Sequence, residues 1–151
     1  MHNLAKAVKH TRLENRNAGS SGTTVKGDII DMQGFEAARF IVGFQTVVND
    51  ASVTFKIAHG DTNDTADMAA TDATSGAIVS DGTTIALSNK ELVIDVINPS
   101  ERYLEAQVVI ADQNAPIDYI IVDQYPPGLA PVASQGASVY STVTNLNPAT
   151  A

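Results

Sequence analysis

Apolar and polar residues alternate along most of the chain between positions 25 and 132, and two segments without this pattern flank the stretch. Alternation with a period of two is typical of strands that bury one face. Residues 53–58, 91–97 and 104–110 show it most clearly. No apolar repeat of ordinary helical length interrupts these runs, so the pattern disfavours a parallel α/β sheet and predicts an all-β fold.

The runs predict seven or eight strands, at residues 25–32, 37–47, 53–58, 76–80, 84–87, 91–97, 104–110 and 117–124. Asn49 and Asp50 indicate a hairpin turn between the second and third runs. Residues 59–75 form a polar insertion with one predicted helical turn at 65–70. Residues 117–124 are apolar on both faces, which favours an interior position in a sheet. Strands at this spacing predict an antiparallel β-sandwich or jelly-roll-like barrel.

The predicted fold carries extended N- and C-terminal arms. We divide the chain into a basic N-terminal arm with a flexible connector at 1–24, a β-sandwich domain at 25–132 and an extended C-terminal tail at 133–151. Residues 1–16 carry only a thin apolar stripe, which predicts a short helix of marginal stability. Within the tail, residues 138–144 predict one edge strand that joins its own sheet or that of another subunit.

Charge is divided unevenly along the chain, whose formal net charge is −8. Residues 1–26 carry five cations and one carboxylate, while residues 27–151 carry the other four cations and sixteen carboxylates. A basic arm on an acidic body suggests that the arm meets an acidic surface, such as the body of a neighbouring copy. Nucleic acid is an alternative partner for the arm, and a solvated tail is another. The body itself is too acidic to favour nucleic acid.

Composition narrows the chemistry further. The chain has no cysteine, which excludes disulfides, thiol nucleophiles and thiolate metal sites. The first sixteen residues lack the apolar region of a secretory signal, and no run reaches the ~18 apolar residues of a membrane span. We therefore expect a protein made in a cytoplasm without a membrane partner. Of the histidines, only His59 lies in the predicted body, where a strand-to-loop junction favours a surface role over catalysis.

An acidic loop offers the best metal candidates, which are Asp61, Asn63, Asp67 and Asp72. Several oxygen ligands alternate there as in a twelve-residue calcium loop. The sixth position holds Ala66 where the sharp turn requires glycine, and the twelfth holds aspartate rather than a bidentate glutamate. We therefore interpret the aspartates as solvated loop carboxylates and expect no metal, no cofactor and no catalytic residue; an irregular Ca²⁺ site between this loop and another is the alternative.

Several short motifs resemble those of small virion structural proteins encoded in the head gene clusters of tailed bacteriophages. They are DMQGFE at 31–36 followed by ARFIV at 38–42, FKIAHGD at 55–61, RYL at 102–104 and PV at 131–132. The similarity covers residues 28–132. The basic N-terminal arm and the tail rich in serine, threonine and alanine depart from that pattern.

The resemblance implies a capsid decoration, or cement, protein that is β-rich and trimeric. Such a protein would bind the major capsid protein on the outer surface of the virion and resist internal pressure, without enzymatic activity. The expected contact residues lie in the two arms: Lys6, Lys9, Arg12, Arg16, Val139, Tyr140, Val143 and Leu146. Two alternatives stay open, a tail, neck or fibre-base component of the virion and a calcium-dependent carbohydrate-binding or adhesive domain.

Overall fold

The computed structural model describes residues 8–126 and, as a backbone strand, residues 139–146. These residues contain no helix. Their ten strands are β1 (Lys9–Glu14), β2 (Thr23–Lys26), β3 (Ile30–Asp31), β4 (Ala37–Phe44), β5 (Ala51–Gly60), β6 (Ala69–Ser80), β7 (Glu91–Ile97), β8 (Tyr103–Ala111), β9 (Ile117–Tyr125) and β10 (Val139–Leu146). The predicted all-β fold is confirmed.

The strands form two packed sheets. Sheet A has the order β1-β9-β4-β7-β10, and sheet B has the order β2-β8-β5-β6, with β3 pairing β8 beyond the end of β2. When β2 and β3 are taken as one interrupted strand and β10 is set aside, the remaining eight strands follow the order of a jelly roll. The predicted β-sandwich is therefore correct, but the two sheets do not close into a barrel.

The core lies between the two sheets and is built by alternation. In β4 and β5 every second residue points inward, and Phe40, Val42, Val53 and Phe55 are fully buried. Burial of each such side chain contributes about 1.5–3 kcal/mol. From sheet A, Gln124 also points inward, and its Nε2 donates to the Asp31 carbonyl of sheet B at 2.8 Å. This bond ties the two sheets together across the interior.

The predicted helix at residues 1–16 is wrong where the structure describes them. Residues 9–14 form β1, which pairs antiparallel with β9, and Leu13 is only 3% exposed within the core. The Asp28 N–H donates to the Leu13 carbonyl at 3.0 Å, and so holds β1 against the start of sheet B. The described part of the predicted arm is therefore part of the sandwich.

Four local predictions also need correction. Asn49 and Asp50 do form a turn, but β4 and β5 belong to different sheets, so the turn is a crossover and not a hairpin. The polar insertion is shorter than predicted, because β6 already begins at Ala69 and continues through residues 76–80 as one long strand. Residues 65–67 make a turn and not a helix, and residues 84–87 form no strand.

The first and the last described strands, β1 and β10, form the two edges of sheet A. β9 lies between β1 and β4, which confirms the interior position predicted from its two apolar faces. β10 pairs in parallel with β7 of its own chain, while every other pairing in the two sheets is antiparallel. The predicted edge strand of the tail is thus present in its own sheet, at Val139–Leu146.

Candidate interaction surface

The basic residues of the N-terminal segment are spread along the β1 edge of sheet A. Lys9 lies at the beginning of β1 with its Nζ 5.8 Å from the Phe35 ring centroid. The Arg12 Cζ lies above the Tyr119 ring, 6.0 Å from its centroid. Arg16 follows β1, where its Nη2 donates to Gln45 Oε1 at 2.7 Å. These three candidates therefore form a line along one edge rather than a cluster. Lys6 lies outside the described residues.

Part of the acidic surface that we expected the basic segment to meet belongs to its own chain. His10 and Asp123 are register partners in β1 and β9, and His10 Nδ1 lies 2.6 Å from Asp123 Oδ1. Arg16 Nε lies 3.9 Å from Asp118 Oδ1, with the arginine side chain 74% exposed. Pairs this exposed contribute little stability, so the guanidinium of Arg16 remains accessible to another acidic group.

β1 begins and β10 ends at the same end of sheet A. Lys9 pairs with Gln124, which pairs with Ala38, which pairs with Val96, which pairs with Asn145. This row crosses the whole sheet, and β1 starts in it while β10 ends one residue beyond it. Four strand spacings of ~4.8 Å separate its two ends by about 19 Å. Residues before β1 and after β10 therefore begin at one end, on opposite edges.

The backbone of all four tail candidates lies in β10, at the second edge of sheet A. These candidates are Val139, Tyr140, Val143 and Leu146. Their side chains lie outside the described residues. The candidates of the two termini thus lie on the two opposite edges of one sheet.

A shallow groove opens at the same end of the sandwich, between the loop before β4 and the loop before β8. Its volume is about 430 Å³ and its lining includes Met32, Phe35, Pro99 and Arg102. Arg102 binds Asp31 through two nitrogens, Nε to Oδ1 at 2.8 Å and Nη2 to Oδ2 at 2.6 Å. This bidentate pair lowers the pKa of Asp31 to about 2, with help from the Gln33 backbone N–H.

The acidic loop between β5 and β6 does not assemble the four metal candidates. The Asp67 carboxylate accepts hydrogen bonds from the Thr62 N–H at 2.9 Å and the Thr62 hydroxyl at 3.0 Å, and these contacts lower its pKa. Its hydrogen bond to Asp61 raises the pKa of Asp61. Asn63 is exposed in the same loop, whereas Asp72 lies exposed within β6. Within residues 8–126, no three of the histidine, aspartate and glutamate side chains converge to hold a metal ion.

A buried carboxylate on the outer face of sheet B fixes this loop, and the sequence pattern did not indicate it. Glu105 of β8 is 2% exposed and accepts hydrogen bonds from the Thr65 hydroxyl of the loop and from Gln107 Nε2. Lys26 Nζ lies 3.4 Å from Glu105 Oε1 and donates to Thr65 Oγ1 at 2.9 Å. The alternation of β8 places Glu105 on the outer face, so its burial depends on the loop that covers it.

His59 is not the surface residue that we predicted. It lies in β5, is 3% exposed, and its Nδ1 is 3.1 Å from the Ser100 hydroxyl oxygen. Because β5 extends to Gly60, the histidine is on the inward-facing side of a strand and not in the loop. The contact joins β5 to the turn before β8 and serves the packing of the sandwich end.

Of the residues that we weighed for chemistry, Asp67 holds its loop through Thr62, and His59 contacts the turn before β8. The described residues contain no helix that could span a membrane.

No family model matches the chain, and no curated protein matches it. Among solved structures, the PBSX exported protein XepA is similar over 91% of this chain and 43% of that chain, at 14% identity and a TM-score of 0.49. A structure of infectious bursal disease virus, Gx strain, is similar over 82% of this chain and 33% of that chain, at 11% identity and a TM-score of 0.47. The chain spans less than half the length of either protein. Neither likeness indicates a function for this chain.

Proposed function

We propose that this protein is a structural component of a tailed-phage virion, and specifically a decoration protein that binds the outer capsid lattice. The motifs at 31–42, 55–61 and 102–104 support the proposal through their resemblance to phage head proteins. The fold agrees with it by analogy, because jelly rolls occur in viral capsid domains, although they also occur in lectins and cupins.

The observation that carries the proposal is that β1 begins and β10 ends at the same end of sheet A. Lys9 and Asn145 lie in the same row of paired residues, on opposite edges. Segments that leave from one end reach the same neighbouring surface, and each adds a separate contact to it. Two weak contacts on one rigid body gain effective concentration from each other, and many copies on a lattice multiply the gain.

The surface chemistry is consistent with attachment to a protein shell. Charged residues make up 17% of the chain, and aromatic residues make up 5%. Arg16 and Lys9 provide exposed cations on the β1 edge, and they can pair with carboxylates of the major capsid protein. A trimer of this chain at a junction between capsid subunits would present three such edges, at the outer surface of the virion.

The test uses heads purified from a phage whose genome encodes this chain, with the gene deleted. Purified full-length protein is added back, the heads are sedimented, and bound protein is located by cryo-electron microscopy. We expect saturable binding at fixed positions on the outer lattice and higher resistance of the heads to heat. Absence of binding to heads, or a location confined to the tail, neck or fibre base, would overturn the decoration role.

Truncations then test the contribution of the arms. A chain that starts at residue 8 retains β1, and a chain that stops at residue 146 retains β10, so neither change removes a described strand. We expect each truncation to weaken head binding and the double truncation to weaken it further. Arg16→Glu reverses an exposed charge within the folded part, and Asp118→Lys is its matched control on the same ion pair. Equal binding by all these variants would refute the arms as the contact.

A further inference from the structure

The strand β10 is an addition to a fold that is topologically complete without it. The eight strands of the jelly roll all pair antiparallel, and the described core side chains run from Leu13 to Val122. β10 joins afterwards, in parallel, at the free edge of β7. It also lies beside β6 of the other sheet, so its place is a slot bounded by both sheets. Departure of β10 would open this slot without breaking another strand pair.

The chain between β9 and β10 is long enough to reach more than one such slot. Tyr125 and Leu146 lie in the same row of paired residues in sheet A, three strand spacings apart, or about 14 Å. Leu146 pairs with Ile97, whereas Val139 pairs with Glu91, which lies six residues before Ile97 on β7, or about 20 Å away. The direct distance from Tyr125 to Val139 is therefore about 25 Å, whereas the fourteen peptide steps between them span up to about 46–50 Å.

A second copy of this chain is the occupant that the observations favour. The slot beside β7 is identical in every copy, so the parallel hydrogen bonds of β10 are the same whether the tail comes from its own chain or from a neighbour. The eight residues of β10 carry no charge, so tails that approach one another do not repel. An open β7 edge would expose unpaired backbone groups, which favours replacement of one tail by another over simple release.

We propose that β10 is exchanged between copies, so that the tail of one chain pairs with β7 of the next. Exchange of an identical element is a low-cost route to oligomers, because it preserves the contacts of the single chain. Such head-to-tail contacts form a ring where the rotation closes. The proposal concerns contacts between copies alone and needs no capsid, so it extends beyond the proposed function.

The absence of cysteine allows a direct test by cross-linking. Thr142 and Val93 are register partners, and partners on neighbouring strands at ~4.8 Å lie within the Cα range of a disulfide. Full-length V93C and T142C chains with different mass labels are refolded together, concentrated to about 1 mM and oxidised. This concentration matches the effective concentration that a short tether gives to a tail of the same chain. The pair I97C and L146C repeats the test at the end of the strands, since Val93 is buried and its variant is the one that could fail to fold.

We expect disulfides between V93C and T142C chains, or between I97C and L146C chains, in roughly 100-fold excess over a control pair of V48C and T142C. Val48 is 46% exposed in the turn before β5, so its thiol reports random encounters. Mixed chains that cross-link no more than the control overturn the proposal, and a V93C/T142C double variant that closes only within one chain does the same. Either failure leaves the capsid role standing, because that role is tested on heads.

Discussion

Leu13→Ala tests whether β1 belongs to the fold or is a detachable arm. Leu13 is 3% exposed, and its backbone carbonyl accepts the Asp28 N–H at 3.0 Å. A Cβ added to Gly27 would lie 2.9 Å from Leu13 Cβ, so the main chain of sheet B already touches this side chain. Because the backbone is held on both sides, it cannot move far into the space that the truncation leaves.

Leucine-to-alanine changes in cores cost about 2.7–5.0 kcal/mol, and the cost grows with the cavity that remains. β1 is an edge strand and can relax in part, so we expect the free energy of unfolding to fall by about 3 kcal/mol. For a domain of this size that corresponds to a fall in Tm of about 6–12 °C. The matched control is Arg12→Ala, which removes an exposed side chain of the same strand and should cost at most about 1 kcal/mol.

The assay is urea unfolding followed by circular dichroism in the β region, with the slope of the transition compared between variants. An unchanged slope with a shifted midpoint reports lost stability of the same folded state. If Leu13→Ala unfolds within about 0.5 kcal/mol of the wild type, as a typical surface change does, then β1 is not packed in solution and our description of sheet A is wrong.

Three further predictions follow from single contacts. The Arg102 hydrogen bonds hold the pKa of Asp31 at about 2, against an ordinary value of 3.8, so the stability that they add is complete above pH 4 and is lost as the pH falls toward 2. In urea titrations, the free energy of unfolding of the wild type should therefore exceed that of Asp31→Asn by less and less over this range, and a difference that stays constant with pH would contradict the prediction. Gly43→Ala places a Cβ 2.5 Å from the Tyr119 ring and should lower the free energy of unfolding by about 1–3 kcal/mol. In a double-mutant cycle this loss should be smaller when Tyr119 is also changed to alanine, because the ring that the Cβ would strike is then absent. Thr65→Val removes the hydroxyl that binds the buried Glu105 carboxylate, so it should lower the free energy of unfolding by about 1–3 kcal/mol and speed proteolysis of the loop at 61–68. The control Thr62→Val leaves this hydrogen bond intact, and equal cleavage of the two variants would refute the anchoring role.

Local alternation was sufficient to predict the strands that bury one full face. β5, β7 and β8 each place several apolar residues inward, so their patterns are long enough to read. β1 escaped prediction because an edge strand of six residues buries little more than Leu13, and its other side chains are charged or polar. The same sequence is compatible with a thin helical stripe until β9 provides the partner.

Sheet membership could not be derived from the same pattern. A turn at Asn49–Asp50 is visible in the sequence, yet whether it joins neighbours in one sheet or crosses to the other depends on β8 and β9, which follow many residues later. The buried positions of His59 and Glu105 have the same origin, since each is covered by a segment that is distant in sequence. The candidate contacts in the arms remain predictions, because their test requires a partner.

The pairing of β1 with β9 sets the order in which this chain can reach its native state. Lys9 pairs with Gln124, so β1 has its neighbour only after all the strands from β2 to β8 have been synthesised. During translation β5 can pair with β6, and β4 with β7, before β9 is made, but β1 must wait until the ribosome has released residue 125. Pairs so distant in sequence fold slowly, and for that interval Leu13 and the open edge of β4 face solvent. A cell that produces many copies of this chain at once would therefore rely on chaperones most at this step.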